Sequence, residues 1–570
     1  LGENEVFVDQ HAPIETASGR VRHPWEAHYP ADVDWGMVIE TGPVAALLDR
    51  AAAAWPDKTA IEYRDRTLSF GALARLVDRM AAGFLRDGIG AGRTVAIFLP
   101  NTPWHSVCFF AALKAGARLV HLSPLDAPRE LAHKMMDSGA DVVISTDMAG
   151  LGVGAARFVE MGLARLLLVG EDAFFGGPEA PVPPYGEKIR RLESVFCDEA
   201  PDSWPVIDPE QVALLQYTGG TTGMPKGAML SHRNLTAATN IYRAWRDTGM
   251  PESGAQKVIG VLPMFHIYAL EVILLVSVAE GNEILLRPRF DVATTLRDIE
   301  QKRATSLAAV PTMLIAMLAD PGSAGRDFSS LVLVGSGGAP MPHEVALGVE
   351  GMLGQRVRGG WGMTETCAAG TRTPIDVTAR PGMIGTPLPN IELRIVSLAD
   401  PSQVLAAGEV GEIAVRGPNV FAGYWNQPAL NAESFVDGFF LTGDIGVMEA
   451  DGLFFIRDRK KRMIISGGFN VYPAMIENAI YEHPDVEEVI VIGVPDAYRG
   501  EAAKAFVKLK AGAAPLTLEA LRVFLTDRVG RHEMPAAIEL RADLPKSPVG
   551  KLLANVLAEE ERARAASLRS

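Results

Sequence analysis

Short apolar runs alternating with helical stretches set the pattern of the first part of the chain. Thr94-Val-Ala-Ile-Phe-Leu99 reads as a strand, Trp104 to Ala115 as a helix and Arg118-Leu-Val-His-Leu122 as a second strand, which together predict a βαβ unit. Asp141-Val-Val-Ile144 and Arg165-Leu-Leu-Leu-Val169 repeat the motif. Val212-Ala-Leu-Leu-Gln216 is another buried-strand pattern, and Ser231 is placed to cap a helix with Leu235, Ala238, Ile241 and Trp245 on one face. After Pro381 the spacing shortens to strands and turns, including Glu392-Leu-Arg-Ile-Val396 and Glu412-Ile-Ala-Val-Arg416, which predicts a small β-barrel or sandwich. The charged run Arg457-Asp-Arg-Lys-Lys-Arg462 reads as a solvated turn or a hinge. Beyond it, Glu488 to Ile492, Ala505 to Leu509 and Ala537 to Leu540 as strands, with Leu518 to Val529 as a helix, make a small α+β domain. The predicted fold class is α/β, with a large N-terminal domain of α/β subdomains plus a small β-barrel, followed by a small α+β C-terminal domain. Residues 1–457, 458–461 and 462–570 are the expected large domain, hinge and small domain. The polar segment from Leu1 to about Asp34 is expected to drape over the surface.

Length and composition narrow this picture. A chain of 570 residues exceeds one compact core, and 48% hydrophobic residues make it globular. The formal charge of -15 argues against a nucleic-acid partner, because a phosphate backbone is gripped by clustered Lys and Arg. Cys108, Cys197 and Cys367 have neither zinc-ligand spacing nor disulfide density, which favours a reducing, cytoplasmic compartment and core thiols. The most apolar stretch, Val258 to Ala279, is broken by Pro263, His266 and Glu271, so it suits a buried wall better than a membrane span. The start, Leu1-Gly-Glu-Asn-Glu, has neither a basic nor an apolar signal region and reads as a trimmed or cloned start.

Candidate chemistry concentrates in Tyr217-Thr-Gly-Gly-Thr-Thr-Gly-Met-Pro-Lys-Gly227, expected between a strand and a helix. Gly219, Gly220 and Gly223 let backbone N–H groups approach phosphate oxygens, Thr218, Thr221 and Thr222 add hydroxyls, and Lys226 adds a charge. This is not a Walker A loop: Pro225 precedes the lysine and Gly227 follows it. Gly337-Gly-Ala-Pro340 follows the strand pattern Leu331-Val-Leu-Val334, at the end where α/β folds bind ligands, although a plain strand-to-helix turn has the same look. Gly360-Trp-Gly-Met-Thr-Glu365 offers a flat ring for a base, a hydroxyl for a phosphate and a carboxylate for magnesium; taken alone, Trp361 fits a core position better. Thr442-Gly-Asp-Ile445 offers Asp444 as a ribose acceptor or a surface turn, and Lys546-Ser-Pro-Val-Gly-Lys-Leu552 is a basic loop near the end of the sequence.

Taken in order, these motifs resemble the adenylate-forming superfamily of acyl-CoA synthetases, luciferases and nonribosomal-peptide adenylation domains. The likeness spans nearly the whole chain. Its look is nearest to the fatty acyl-CoA synthetases through His28-Tyr-Pro-Ala-Asp32, Leu215-Gln-Tyr-Thr-Gly-Gly-Thr-Thr-Gly223 and Ser466-Gly-Gly-Phe-Asn-Val-Tyr-Pro473. The resemblance implies two half-reactions: a carboxylate attacks the α-phosphorus of Mg-ATP, and the CoA thiol then displaces AMP from the acyl-adenylate. It implies that Thr218 to Lys226 cradles phosphates, that Gly338, Ala339 and Trp361 frame adenine, that Thr364 meets the α-phosphate and that Glu365 ligates Mg2+. Asp444 and Arg459 match ribose-binding positions, and Lys551 matches a mobile catalytic lysine. Lys461 matches the hinge about which the C-terminal domain turns, and Gly467-Gly468 the segment beside a pantetheine tunnel. His266 is expected either at the carboxylate entrance or as a satisfied core histidine.

Three departures accompany the match. Trp361 stands where the family commonly has Tyr, Arg531-His-Glu-Met-Pro535 replaces a usual Gly-Tyr-Lys-x-Pro pattern and puts Glu533 in place of its lysine, and Arg462 fills a position that is often acidic. The resemblance implies a fatty acid as the carboxylic acid substrate, ATP and CoA as co-substrates and Mg2+ as the metal. It allows peripheral membrane contact and a homodimer. A ligase for aryl or dicarboxylic acids, a luciferase-like oxygenase, a carrier-loading module and a degenerate nucleotide-binding protein are the alternatives. Intact Lys226, Glu365, Asp444 and Lys551 oppose the last.

Overall fold

The structure is a computed structural model and describes residues 14–15, 21–218, 224–245, 252–339, 341–466, 469–496, 499–547 and 551–567. Two seven-stranded sheets form the bulk of the large domain. The first runs in the order Lys226–Ser231, Val212–Thr218, Arg118–His121, Thr94–Ile97, Val142–Thr146, Leu166–Gly170 and Ile189–Arg191. It is parallel except where Lys226–Ser231 turns back on Val212–Thr218. The second runs in the order Val357–Arg358, Leu333–Ser336, Ser306–Ala309, Lys257–Gly260, Glu283–Leu286, Thr59–Tyr63 and Arg66–Ser69, with only the last strand antiparallel. Continuous Val, Ile and Leu runs suit strands covered on both faces. The helix Pro103–Lys114 is buried from Pro103 to Leu113, the fate expected of a helix with no polar stripe. Next to it, the Asn101 side chain donates to the Leu262 carbonyl at 2.9 Å and ties the two α/β halves together.

The third sheet is antiparallel, in the order Thr371–Arg372, Met383–Pro387, Phe454–Arg459, Phe439–Met448, Gly411–Arg416 and Glu392–Val396, with Phe435–Val436 also on Phe439–Met448. Register shifts at Met383/Gly385, Glu412/Ala414 and Ile445/Gly446 are the bulges that let such a sheet curl. A fourth, five-stranded sheet carries Phe469–Val471, Ile464–Ser466, Gly500–Leu509, Val486–Asp496 and Ala537–Leu540. It has its own apolar cluster, including Val471, Ile476, Ile480, Val491, Val507 and Leu521.

Three local expectations are corrected. Lys226 does not sit in a loop that leads into a helix: it opens a strand, with Thr218 paired to Lys226 across a hairpin, and Ser231 then caps the helix His232–Ala244. The predicted helix Leu518 to Val529 stops at Leu525. The segment before Asp34 is not merely draped over the surface. Trp25 is 1% exposed, stacks on His23 at 4.4 Å and packs against Phe454, so its large apolar area anchors the segment to the third sheet.

Candidate active site

The C-terminal ends of the parallel strands in both large sheets open into one continuous cavity of about 2200 Å³, which also touches the third sheet and the C-terminal domain. Open α/β sheets present ligand sites at that end. Thr218 and Lys226 enter from the hairpin of the first sheet, and Gly338 and Ala339 from the turn after Leu333–Ser336. Gly338 has φ of 75°, a conformation that favours glycine, and a Cβ on Gly337 would lie 2.8 Å from the Tyr268 ring. Small residues at this turn therefore leave room for flat groups. Gly219, Gly220, Thr221, Thr222, Gly223, Gly467 and Gly468 lie outside the described residues.

Trp361, Thr364 and Glu365 line the cavity from the segment between Val357–Arg358 and Thr371–Arg372. The chain after them passes through two consecutive left-handed residues, Cys367 (φ 49°) and Ala368 (φ 63°), a costly turn for residues other than glycine. Tyr242 holds it by donating to the Ala368 carbonyl at 2.7 Å. Glu365 is 5% exposed, and its Oε1 accepts from the Tyr424 hydroxyl at 2.7 Å. Burial pushes the Glu365 carboxyl up; the Tyr424 hydrogen bond opposes the shift. The Lys226 ammonium lies 5.4 Å from the Tyr424 ring centroid. Burial lowers its pKa, the charge of Lys461 lowers it further and Glu365 opposes both. Two lysines and a desolvated carboxylate thus face one space that has room for added anions and a cation.

Asp444 and Arg459 face each other across neighbouring strands, Phe439–Met448 and Phe454–Arg459. The Arg459 Nε meets Asp444 Oδ1 at 2.5 Å, and the indole Nε1 of Trp361 donates to Asp444 Oδ2 at 2.8 Å. Asp444 is 2% exposed; burial pushes its carboxyl up, while Arg459, the indole N–H and Lys551 pull it down. Sequence reasoning missed two links here. It treated Trp361 as a flat ring for a base or as a core residue, not as a hydrogen-bond donor, and it passed over Tyr424, which lies far from Glu365 in sequence and is brought beside it by the extension after Gly411–Arg416.

His266 caps the short helix Ile267–Ala269, its Nδ1 accepting from Tyr268 N at 3.3 Å. Desolvation first and the charge of Lys551 second lower its pKa to about 4, so its imidazole is neutral near pH 7. Lys551 comes from the C-terminal domain, on a loop closed by the Lys551 N–H donating to Ser547 Oγ at 3.0 Å. It joins His266, Gly338 and Ala339 around a recess of about 30 Å³. Crowding by protein lowers the pKa of Lys551, as do Arg459 and Arg462, and Asp444 raises it. The Lys551 side chain nonetheless keeps an exposed surface. Behind His266, the carbonyl of Phe265 accepts from Gln216 Nε2 at 2.9 Å, and Gln216 Oε1 meets His121 Nδ1 at 3.0 Å. The strand that leads to Thr218 is therefore strapped to the loop that carries His266.

At the junction with the C-terminal domain, the chain turns tightly, with Arg462 N–H donating to the Arg459 carbonyl at 2.9 Å. Lys461 is exposed on this turn. Asp458, 2% exposed, accepts from the N–H of Ala474 at 2.6 Å, at the start of the helix Pro473–Tyr481. Arg462 pairs with Glu477 of that helix, which accounts for a cation at this position. Glu533 closes its own turn by accepting from the Gly530 N–H at 2.7 Å.

A cavity shared by the hairpin of Thr218 and Lys226, an Asp–Arg pair and a lysine from a second domain suits a nucleotide-dependent enzyme. The chain belongs to the AMP-binding enzyme family: residues 48–425 match the family, and residues 475–551 match its C-terminal domain. It is 36% identical over 554 residues to a long-chain-fatty-acid–CoA ligase of Bacillus subtilis, covering 94% of this chain and 98% of that protein. It is also 36% identical over 508 residues to a feruloyl-CoA synthase of an Amycolatopsis species, covering 88% and 96%. Among solved structures it is similar to ATP-bound MatB from Rhodopseudomonas palustris, with a TM-score of 0.80 and 30% identity over 90% of this chain and 98% of that one.

Proposed function

We propose that the protein is an AMP-forming acyl-CoA ligase for medium- to long-chain fatty acids. The observation that carries this reading is a single cavity whose lining holds Lys226, Asp444, Arg459, His266 and Lys551 together with the apolar side chains of Tyr268, Val272, Val276, Leu307 and Leu333. Aliphatic side chains in this lining suit an alkyl chain. The long-chain-fatty-acid–CoA ligase relatives support the same substrate class.

In the first half-reaction a carboxylate oxygen bonds to the α-phosphorus of ATP as the bond to pyrophosphate breaks. Lys226, with Thr218 and the hairpin loop, holds the leaving phosphates, and Asp444 with Arg459 holds the ribose hydroxyls. The ring of Trp361 and the turn at Gly338 and Ala339 hold the base, and Thr364 meets the α-phosphate. Lys551 places its ammonium between the carboxylate and the α-phosphate, offsetting the repulsion between two anions. Neutral His266 lines the carboxylate entrance.

Glu365 fits a magnesium ligand. It is a buried carboxylate with a neutral hydroxyl as its side-chain partner, and no group of three or more metal-ligating side chains occurs among the described residues. Phosphate oxygens and water would therefore complete the shell, as Mg2+ prefers. The ion would supply charge neutralisation for the leaving group.

In the second half-reaction the CoA sulfur bonds to the acyl carbon and AMP leaves. For this step the hinge at 458–461, centred on Lys461, turns the domain 462–570 away from the large domain 1–457 and withdraws Lys551. A pyrophosphate-release screen over fatty, dicarboxylic and aryl acids, followed by detection of the CoA thioester, tests the reading. Release with aliphatic acids that peaks at long chains is expected. Release with aryl acids alone would overturn it.

A further inference from the structure

Lys226 and Glu365 bring opposite charges into one cavity, yet no ion pair joins them; what both meet is Tyr424. Its hydroxyl donates to Glu365 Oε1 at 2.7 Å, and its ring centroid lies 5.4 Å from the Lys226 ammonium. A cation within about 6 Å of an aromatic face is attracted to it. One side chain therefore holds both charges, each by a different part. A direct Lys226–Glu365 pair would instead cancel two charges that the nucleotide and its metal need.

The backbone at Tyr424 is fixed from several sides. Asn431, on the helix Pro428–Ser434, clasps it: Asn431 Oδ1 accepts from the Tyr424 N–H at 2.7 Å, and Asn431 Nδ2 donates to the Tyr424 carbonyl at 2.9 Å. Gly423, at φ of 127°, makes room for this clasp, because a Cβ there would lie 2.8 Å from the Asn431 side chain. On the hairpin side, Met229 N–H donates to the Gly423 carbonyl at 3.0 Å and Trp425 N–H to the Gly227 carbonyl at 2.8 Å. On the other side, Phe421 N–H donates to the Glu365 carbonyl at 2.8 Å, and the Tyr424 ring packs edge-on against buried Phe421 with centroids 4.9 Å apart. The segment from Phe421 to Trp425 is thus stitched to the backbones of the same two elements whose charges Tyr424 holds.

Packing alone would need only the ring. The hydroxyl takes one oxygen of a carboxylate that is 5% exposed, and no second side chain among the described residues bonds to that carboxylate. Partners hydrogen-bonded to a metal-ligating carboxylate fix its orientation, and their loss weakens metal binding. Resting on the magnesium role given to Glu365 above, we propose that Tyr424 is a positioning residue with two separable effects: its hydroxyl orients Glu365 for the metal, and its ring holds Lys226 for the phosphates and apart from Glu365.

The test reads nucleotide binding rather than turnover, so its outcome does not depend on the acyl substrate. Calorimetry gives the dissociation constant of ATP without divalent cation and again at saturating Mg2+; by linkage, their ratio reports the affinity of the metal in the complex. Tyr424→Phe keeps the ring and its packing. Its affinity for metal-free ATP should match wild type, while the ratio should fall about ten- to a hundredfold. Tyr424→Leu removes the ring as well and should also weaken metal-free ATP by about two- to tenfold. In a Glu365→Gln background, Tyr424→Phe should lower the ratio no further, because both changes act on one interaction.

Asn431→Ala loosens the clasp without touching either charge and should reproduce the fall in part, which keeps the test decisive if Tyr424→Phe fails to fold. A ratio unchanged in Tyr424→Phe and Asn431→Ala overturns the inference. So does equal weakening of ATP with and without Mg2+ in Tyr424→Phe, the mark of a plain packing residue, or a full further loss in the Glu365→Gln background. Should Glu365→Gln itself leave the ratio unchanged, the magnesium reading fails and this inference with it. If Glu365→Gln lowers the ratio and Tyr424→Phe does not, only this inference falls.

Discussion

Lys551→Ala is expected to separate the two half-reactions. The structure gathers Lys551, His266, Gly338 and Ala339 around a recess of about 30 Å³, little more than the room of one water. An oxygen that reacts there lies close to the ammonium. A unit charge pair about 4 Å apart at an effective dielectric near 20 is worth about 4 kcal/mol. At about 1.4 kcal/mol per power of ten, losing it slows adenylation roughly a thousandfold. His266, relieved of a neighbouring positive charge, should also titrate higher than in wild type. Single-turnover release of pyrophosphate from acid and ATP measures the first step. Thioester formation from synthetic acyl-adenylate and CoA measures the second, which should run near the wild-type rate because the lysine has then left the cavity. Adenylation by Lys551→Ala at the wild-type rate would refute the reasoning at its central residue; equal loss of both steps in a folded variant would refute the alternation.

Glu365→Gln keeps the size of the side chain and its contact with Tyr424 but removes the charge offered to magnesium. Adenylation should therefore need more Mg2+, and an unchanged Mg2+ titration would remove Glu365 from the metal site. Lys461→Pro restricts φ at the exposed turn, so acyl-adenylate should still form while thioester formation falls; parallel loss of both would defeat the hinge. Burial holds His121, His232 and His266 each at about 4, below the unfolded value near 6.5. The unfolded chain binds more protons in that window, so stability falls as pH drops from about 6.5 toward 4, by at most roughly 3 kcal/mol per histidine. Urea midpoints that stay constant between neutrality and pH 5 would contradict this.

Periodicity and punctuation located most of the fold because burial on both faces leaves unmistakable runs. The strand Glu392–Val396 is bounded as its alternation predicts, and the βαβ order from Thr94 onward follows from apolar runs of strand length. What escaped was non-local. Pairing of Thr218 with Lys226 makes a hairpin of a stretch whose glycines and threonines read as a loop between a strand and a helix. Trp25 sits in a polar segment, and only the groove beside Phe454 makes it an anchor. The stretch Leu270–Leu275 winds as a π-helix; a run buried almost throughout has no polar stripe from which to read its pitch. Candidate site residues were legible singly, as residue types in order. The links from Trp361 to Asp444 and from Tyr424 to Glu365 were not, because each joins segments that only the fold brings together.

The bond from Ala474 N–H to Asp458 spans the turn between the two domains. On the alternation proposed above, any swing about that turn would first uncouple a carboxylate that is almost fully shielded from water, at a cost of about 1.5–3 kcal/mol for a hydrogen bond to a charged group. The domain would then behave as a latched door rather than a loose flap, its dwell in this pose lengthened by roughly one to two powers of ten over an unlatched one. Such a delay would let a slow first step finish before the door swings, so the order of the two chemistries would rest partly on one aspartate outside the reacting atoms.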